Sequence, residues 1–435
     1  MVDPTGAGSA RRWLARLAFA AAAAATILVL AVAGLRASVA LVVVALAGMA
    51  TALAAAWWFL THRGLLRALA AAVVVLAPLT VAVLYARAHL VGVVVVFALL
   101  WSAALAAGRR ALSVSASRPR EYDTPPPLRP YLIMNPRSGG GKVVRFALAE
   151  RARALGAEVV LIGADTDVAE LARRAVRDGA DLLGVAGGDG TQALVAGIAV
   201  ESGLPFLVVS AGTRNHFALD LGLDREDPAR CLEALTDGVE LRVDLGMVGS
   251  RAFVNNASFG AYAAVVQSPA YRDHKTRTTL DLLPGLLTGH RGPGLRLSAG
   301  DTVVSGPQAV LVSNNPYATD DIAGLGHRPR LDAGVLGVLA VTVRGALDAA
   351  GLVRGRRRSR SLTVVTTGEA VIDADAPSVS VGIDGEAVTM PTPVRCTIRP
   401  GALRVRVPRH RRVASPRPEL DWARLRRLAL STGRP

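Results

Sequence analysis

The first hundred or so residues are almost continuously apolar, and this limits what the N-terminal part of the chain can fold into. The run is interrupted at Arg36, at His62 and Arg63, and at Arg87 and His89. Four stretches remain, Trp13 to Leu35, Ala37 to Leu60, Leu65 to Tyr85 and Leu90 to Ala107, each close to the roughly 20 residues a helix needs to cross hydrocarbon. A backbone in hydrocarbon must satisfy its own N–H and C=O groups, so each stretch is expected as a transmembrane α-helix. A cleaved signal peptide explains only the first, because its apolar region is typically about 7–15 residues long and no cleavage site followed by soluble sequence is present. The third carries Arg67 at its start and Pro78 inside. Pro kinks a membrane helix and Arg67 can reach back to the interface, the alternative being a helix lying on the surface.

Arginine placement orients the spans. Arg11, Arg12 and Arg16 lie at the start of the first, Arg63 and Arg67 lie in or beside the second loop, and Arg109, Arg110, Arg118 and Arg120 follow the fourth. Arg36 and Arg87 alone mark the other two loops. The positive-inside rule then puts both termini in the cytoplasm, giving a multi-pass protein of the cell membrane with its soluble part cytoplasmic.

The formal net charge is +16, and most of it belongs to the soluble part. Such a balance favours nucleic acid or an anionic membrane surface, and with an anchor in the same chain the lipid surface is the simpler partner and nucleic acid is not expected. The clusters Arg354 to Arg360 and Arg409 to Arg412, and a tail with Trp422, Leu425 and Leu428 beside Arg424, Arg426 and Arg427, suit acidic headgroups. The alternative is a solvated charged face. Cys231 and Cys396 have no spacing for zinc or for a disulfide framework and read as small apolar fillers.

The expected organisation is a membrane domain over 1–110, a proline-rich linker over 111–130 ending in Thr124-Pro125-Pro126-Pro127-Leu128-Arg129-Pro130, and a soluble region from Tyr131. In 131–240, short apolar runs at Tyr131 to Met134, Glu158 to Ile162, Leu182 to Ala186 and Phe206 to Ser210 alternate with helix-like segments at Val143 to Leu155, Val168 to Asp178 and Thr191 to Val200. This alternation predicts an α/β domain with a parallel sheet and ligand loops at the strand carboxyl ends. In 241–407 the character is β-rich: Leu241 to Met247, Ala252 to Asn256, Val310 to Ser313, Val335 to Val343, Leu362 to Val371, Ser378 to Ile383 and Leu403 to Val407, with helical signal at Ala263 to Leu287 and Ala346 to Val353. Its last strands are expected to return to the first domain, leaving a basic tail over 408–435.

Two glycine-rich loops follow apolar runs and precede helix-like ones: Asn135-Pro136-Arg137-Ser138-Gly139-Gly140-Gly141-Lys142 and Gly187-Gly188-Asp189-Gly190-Thr191. Backbone amides and a helix N-terminus in this context hold phosphate, and the pair points to a nucleotide triphosphate. A Walker A loop is absent, since Pro136 and Val143 occupy the places of its first Gly and its Ser or Thr. The loose dinucleotide pattern of Gly188 to Ala193 carries an acid that would oppose pyrophosphate, and no acid follows about 20 residues on. Asp189 makes better sense holding Mg²⁺ or orienting an attacking hydroxyl. The plain alternative is a Gly-Asp-Gly turn.

These motifs, followed in order by Ala211-Gly212-Thr213-Arg214-Asn215, Asn255-Asn256-Ala257-Ser258-Phe259-Gly260, Leu331-Asp332-Ala333-Gly334 and Asp384-Gly385-Glu386, resemble the diacylglycerol kinase catalytic domain, a family that includes bacterial lipid kinases and sphingosine kinases. The resemblance covers Tyr131 to Val407. It implies an α/β nucleotide-binding domain joined to a β-sandwich-like domain, with ATP, Mg²⁺ and a membrane lipid, diacylglycerol first among them, meeting in the cleft. It implies nucleotide contacts at Asn135, Ser138, Gly139, Gly140, Gly141, Lys142, Gly187, Gly188, Gly190, Thr191, Gly212, Thr213 and Asn215. It makes Glu386 the general base, Asp189 the carboxylate for Mg²⁺ or phosphate, and Asp332 the acid of a structural Mg²⁺ loop.

The chain also departs from the family. Gln192-Ala193-Leu194 stands where many members have a polar residue and then Asn-Glu, Ala211 replaces a usual Pro, and His216 replaces a frequent Asp. His216 is either a group facing phosphate or a hydrogen-bonded turn residue. Two other functions fit parts of the pattern: a kinase of a soluble acceptor such as NAD, which would need no spans, and an inactive membrane-bound nucleotide-binding scaffold. Leu280, Leu282, Leu283, Leu286 and Leu287 read as an acyl groove or as a plain core helix.

Overall fold

The computed structural model describes residues 4–62, 64–87, 90–112, 119–163, 165–260, 293–317, 327–342, 362–411 and 422–431. The segments expected at Ala263 to Leu287, with its leucines, at Ala346 to Val353 and at Arg354 to Arg360, together with Arg412, lie outside the described residues. The chain divides into two compact units, Met1–Ala116 with Ser415–Pro435, and Ser117–Ala414.

The first unit is helical. α1 (Pro4–Thr61), α2 (Leu65–Arg87) and α3 (Val91–Leu112) carry four stretches long and apolar enough to cross a membrane, Ser9–Val32, Val42–Leu60, Leu65–Arg87 and Val91–Leu112. The first two lie within one continuous helix, because a single Arg, itself a good helix former, does not interrupt i to i−4 bonding. Hydroxyls within the stretches bond to the preceding turn: Thr26 Oγ1 donates to Ala22 O at 3.0 Å, Thr51 to Ala47 at 2.9 Å and Thr80 to Leu76 at 2.8 Å. In apolar surroundings an unpaired hydroxyl would be costly. Arg67 donates to Phe59 O at 3.1 Å, closing the last turn of α1.

The tail forms a helix, Trp422–Leu430, and its apolar face is already covered by protein. Leu425 is buried among Ala15, Ala18, Ala107, Ala111 and Leu112, and Trp422 meets Phe19 edge-on at 5.5 Å. Small alanines on α1 and α3 let the helices approach closely. This corrects the sequence reading in which Trp422, Leu425 and Leu428 face headgroups. The arginines Arg424, Arg426 and Arg427 remain exposed.

In the second unit, β1 (Glu121–Asp123) pairs with a later strand, so part of the stretch expected as an unpacked linker is bound to the fold. The alternating region follows: β2 (Pro130–Met134), α4 (Lys142–Arg145), α5 (Leu148–Ala154), β3 (Glu158–Leu161), α6 (Val168–Arg177), β4 (Leu182–Ala186), α7 (Asp189–Glu201), β5 (Phe206–Val209) and α8 (His216–Asp220). Strands β3, β2, β4 and β5 are parallel and adjacent in that order. β2, β4 and β5 are buried along their whole length, as expected of strands covered on both faces. The helix expected from Val143 to Leu155 breaks at Ala147, which takes a left-handed φ of 49°.

The β-rich region comprises β6 (Gly238–Val248), β7 (Arg251–Phe253), β8 (Asn256–Gly260), β9 (Leu295–Ala299), β10 (Thr302–Ser305), β11 (Ala309–Asn314), β12 (Leu336–Val341), β13 (Leu362–Thr367), β14 (Glu369–Ala374), β15 (Ser378–Ile383), β16 (Glu386–Pro391) and β17 (Val394–Pro408). An antiparallel sheet in the order β13-β12-β11-β8-β15-β16 faces strands β10, β9 and β14 of the other sheet. A core containing Phe259, Val312, Val338 and Val381 from one and Leu297, Ile372 and Cys396 from the other lies between them. Gly368 divides the run Leu362 to Val371, expected as one strand, between the two sheets.

β17 joins the lobes. Its first residues pair with β14; past a register shift between Arg399 and Leu403, Val405 and Arg406 pair in parallel with Phe206 and Leu207 of β5. The parallel sheet of one lobe thus continues into the sandwich of the other.

Candidate active site

The glycine loops meet at the carboxyl ends of the parallel strands. Asn135 N–H donates to Ala186 O at 2.8 Å, tying the start of the first loop to β4. Gly139, Gly140 and Gly141 all have positive φ, at 57°, 72° and 78°. A Cβ on Gly139 would overlap the Ala211 carbonyl oxygen, so the first loop touches the third. A Cβ on Gly212 would lie 2.7 Å from Gly187 O, so the third touches the second. Three segments far apart in sequence form one surface because these contacts exclude side chains.

Asn215 organises the third loop. It is fully buried with φ 54°; its Oδ1 accepts from Gly212 N–H at 2.7 Å and its Nδ2 donates to Ser210 O at 2.9 Å and Gly212 O at 2.7 Å. Its side-chain amide therefore holds the shape of its own loop. Lys142 Nζ donates to Arg225 O at 2.8 Å, and Arg225 in turn donates to Thr213 O at 2.9 Å. Burial and the neighbouring Arg225 hold the Lys142 pKa below its ordinary value.

Asp189 opens α7 with Gly188 at its N-cap, a position where helix amides and dipole favour negative charge. The residue is 9% exposed, and its Oδ1 is buried with no hydrogen-bond partner. Gln192 Nε2 fixes the turn beneath it by donating to Gly187 O at 2.9 Å. His216, at the start of α8, has its pKa lowered by burial, an effect opposed by Asp189.

Glu386 comes from the other lobe, at the start of β16, and is exposed. A Cβ on Gly190 would fall 2.5 Å from Glu386 Cδ. The Asp-Gly-Glu turn holds it there: Asp384 takes a left-handed φ of 47° and accepts Val254 N–H at 2.8 Å, Asn255 N–H at 2.8 Å and Asn256 N–H at 2.9 Å. Burial pushes the Asp384 carboxyl up to about 7 against those three donors, and Asp189 adds to the rise. Gly190, Thr191, Asp384 and Glu386 line a cavity of about 580 Å³.

Asp332 lies elsewhere. It pairs with Arg330 at 2.9 Å and lines a separate cavity of about 50 Å³ with Asp220 and Arg328. Among the described residues no group of three or more His, Cys, Asp or Glu side chains could hold a metal ion. The structure therefore does not join Asp189 and Asp332 in one metal site. Asp189 alone fits a divalent cation, through its unpartnered buried oxygen, in the manner of Mg²⁺ held by one carboxylate, waters and substrate phosphates.

Two supporting residues escaped the sequence reading. Arg328 is fully buried and pairs with Asp220 at 2.7 Å, donating also to Asn255 Oδ1 at 2.8 Å and Asn314 O at 2.9 Å. Asp244 accepts Gly334 N–H at 2.6 Å and Gly401 N–H at 2.7 Å. A lone acid inside the apolar run Val243 to Leu245 was the available signal for Asp244; for Arg328, which precedes Pro329 in a polar stretch, the sequence carries none.

The class defined by this arrangement is a two-lobed α/β and β-sandwich protein with three joined glycine loops and nearby carboxylates from both lobes. Residues 129–248 match the family described as the diacylglycerol kinase catalytic domain. A diacylglycerol kinase of Mycobacterium tuberculosis is 25% identical over 304 residues, spanning 64% of this chain and 94% of the relative. One of Bacillus subtilis is 38% identical over 96 residues, 22% of this chain and 32% of the relative. The crystal structure of a candidate diacylglycerol kinase from Bacillus anthracis aligns with a TM-score of 0.51 at 17% identity, covering 64% of this chain and 96% of that one, a likeness of fold.

Proposed function

We propose that the protein is an ATP-dependent lipid kinase that phosphorylates a hydroxyl of a membrane lipid, with diacylglycerol, for which its relatives are named, as the reference acceptor. The observation that carries this reading is the buried, unpartnered Oδ1 of Asp189 beside the joined glycine loops, with Glu386 above Gly190. Asn135, Ser138 to Lys142, Gly187, Gly188, Thr191, Gly212 and Thr213 supply the nucleotide surface. Asp189 would hold Mg²⁺, which when bound neutralises charge on the phosphates.

Glu386 takes the proton of the acceptor hydroxyl as its oxygen bonds to the γ-phosphorus and the bond to the β-phosphate oxygen breaks, releasing ADP. In a loose transition state much of the acceleration comes from position and charge neutralisation, and Glu386 accepts the proton late along the reaction. The apolar helices keep the enzyme at the bilayer, with both termini cytoplasmic, where a lipid acceptor is met at high effective concentration. Exposed arginines such as Arg426 and Arg427 suit an anionic membrane surface. The test is to supply γ-labelled ATP and Mg²⁺ to membranes containing the protein and extract the lipids. Label in the organic phase supports the reading, and label confined to the aqueous phase with a wild-type preparation that binds ATP contradicts it.

A further inference from the structure

The cavity beside Glu386 has an unusual wall. Arg173 of α6, Arg251 of β7 and Arg399 of β17 all line it, and none of the three guanidinium groups has an ion-pair or hydrogen-bond partner among the described residues. Four acids line it as well, but two are committed: Asp167 accepts Glu170 N–H at 3.0 Å as the cap of α6, and Asp384 accepts its three backbone donors. That leaves Glu386, over Gly190, and Glu201 at the far end of α7. Between the arginines the wall is apolar, with Leu194, Leu245 and Met247. Ala193 and Leu194, where the chain departs from the Asn-Glu pattern it resembles, both lie on this wall, so it lacks the carboxylate that pattern would bring to the arginines' cavity.

Position in the site indicates which ligand the arginines serve. None of Ser138 to Lys142, Gly212 or Thr213 lines this cavity; Gly190 and Thr191 of the second loop border it, and Glu386 does so from the other lobe. The cavity is on the side of the base, where the acceptor hydroxyl must arrive, rather than on the side of the first and third loops. A neutral headgroup would leave the three cations in excess over the two uncommitted acids; a phosphate within the headgroup would supply the missing charge, through charge-assisted and bidentate hydrogen bonds.

We propose that Arg173, Arg251 and Arg399 form a phosphate-recognising rim that selects an anionic acceptor, a phospholipid whose headgroup carries both a phosphate and a free hydroxyl, over neutral diacylglycerol. This rests on the lipid kinase reading of the site. The rim acts on the acceptor's existing phosphate and takes no part in the bonds made or broken at its hydroxyl.

The experiment compares phosphatidylglycerol with diacylglycerol as acceptors in mixed vesicles, using the full chain and the variants Arg251→Ala and Arg399→Ala. The wild type is expected to have the higher kcat/KM on phosphatidylglycerol, and each variant to lower the ratio of the two by about tenfold or more, the size of a lost charge-assisted hydrogen bond. A ratio below one in the wild type, or a rise in KM for ATP on both acceptors with the ratio unmoved, would overturn the proposal, the latter assigning the arginines to the nucleotide. Calorimetric titration of glycerol phosphate into the full chain in detergent micelles is the second arm. Saturable binding that weakens in both variants supports the rim even if neither lipid is phosphorylated, an outcome that would sink the kinase reading alone. No binding by the wild type overturns the rim.

Discussion

Glu386 and Gly190 come from different lobes, and the carboxylate of one rests on the α-carbon of the other. The contact requires residue 190 to have no side chain, yet Gly190 has an ordinary helical conformation in the first turn of α7. Its absent Cβ therefore serves the site and not the backbone.

Gly190→Ala should separate stability from activity. Alanine is better than glycine inside a helix by about 1 kcal/mol, and the atoms it displaces belong to a flexible side chain. Thermal unfolding should move little or upward, while turnover should fall by about 100-fold as Glu386 is pushed aside, in line with loss of a general base. Paired measurement of Tm and kcat checks this; wild-type turnover would show that the contact is incidental.

Gly139→Ala should cost stability. Its Cβ would meet the Ala211 carbonyl, a backbone atom that cannot turn away, at a φ of 57°. A loss of about 2 kcal/mol or more is expected in urea unfolding. Gly140→Ala is the control, since no atom lies within 4 Å of its added Cβ and only the positive φ of 72° is penalised, by about 1 kcal/mol.

How far these contacts could be read beforehand differs by kind. Loop positions were legible because glycine runs after apolar strands have few other uses, and the four-strand α/β order followed from periodicity. Which glycine touches which carbonyl was not, since Gly139 meets Ala211 only once β2 and β5 are placed in one sheet. Strand β16 was missed because Glu386 to Pro391 is an edge strand with little burial, and β9 because its alternation is only five residues long. The bonds of Asn215 were hidden for a related reason: an Asn in a glycine loop looks the same in sequence whether its amide faces a ligand or its own backbone.

Opposite pH trends should come from Asp384 and His216. Asp384 has its pKa raised to about 7 by burial, so the fold favours its protonated form, and its contribution to stability is present at low pH and lost as pH rises from about 4 through 7. His216 has its pKa lowered by burial, so the fold favours the neutral ring, and its contribution is present above about 6.5 and lost as pH falls below that. Urea unfolding between pH 4 and 8 for wild type, Asp384→Asn and His216→Gln should give difference curves of opposite slope. Parallel curves would contradict the assignment.

Arg328→Ala should destabilise strongly. It leaves the Asp220 carboxylate buried without its partner and takes a donor from each of the Val254 and Asn314 carbonyls. A cost of about 3–5 kcal/mol is expected, with partial recovery in the double variant carrying Asp220→Asn. Equal stability of the single and double variants would show that the ion pair is not the source.

Glu386→Gln tests the account most directly. The substitution keeps size and hydrogen bonding but cannot accept a proton, so transfer of label from γ-labelled ATP to extracted lipid should drop by about 100-fold or more while ATP binding is retained. Lipid labelled at the wild-type rate by purified Glu386→Gln would contradict the central claim that a carboxylate from the β lobe, set over the Gly-Asp-Gly turn, completes the catalytic site.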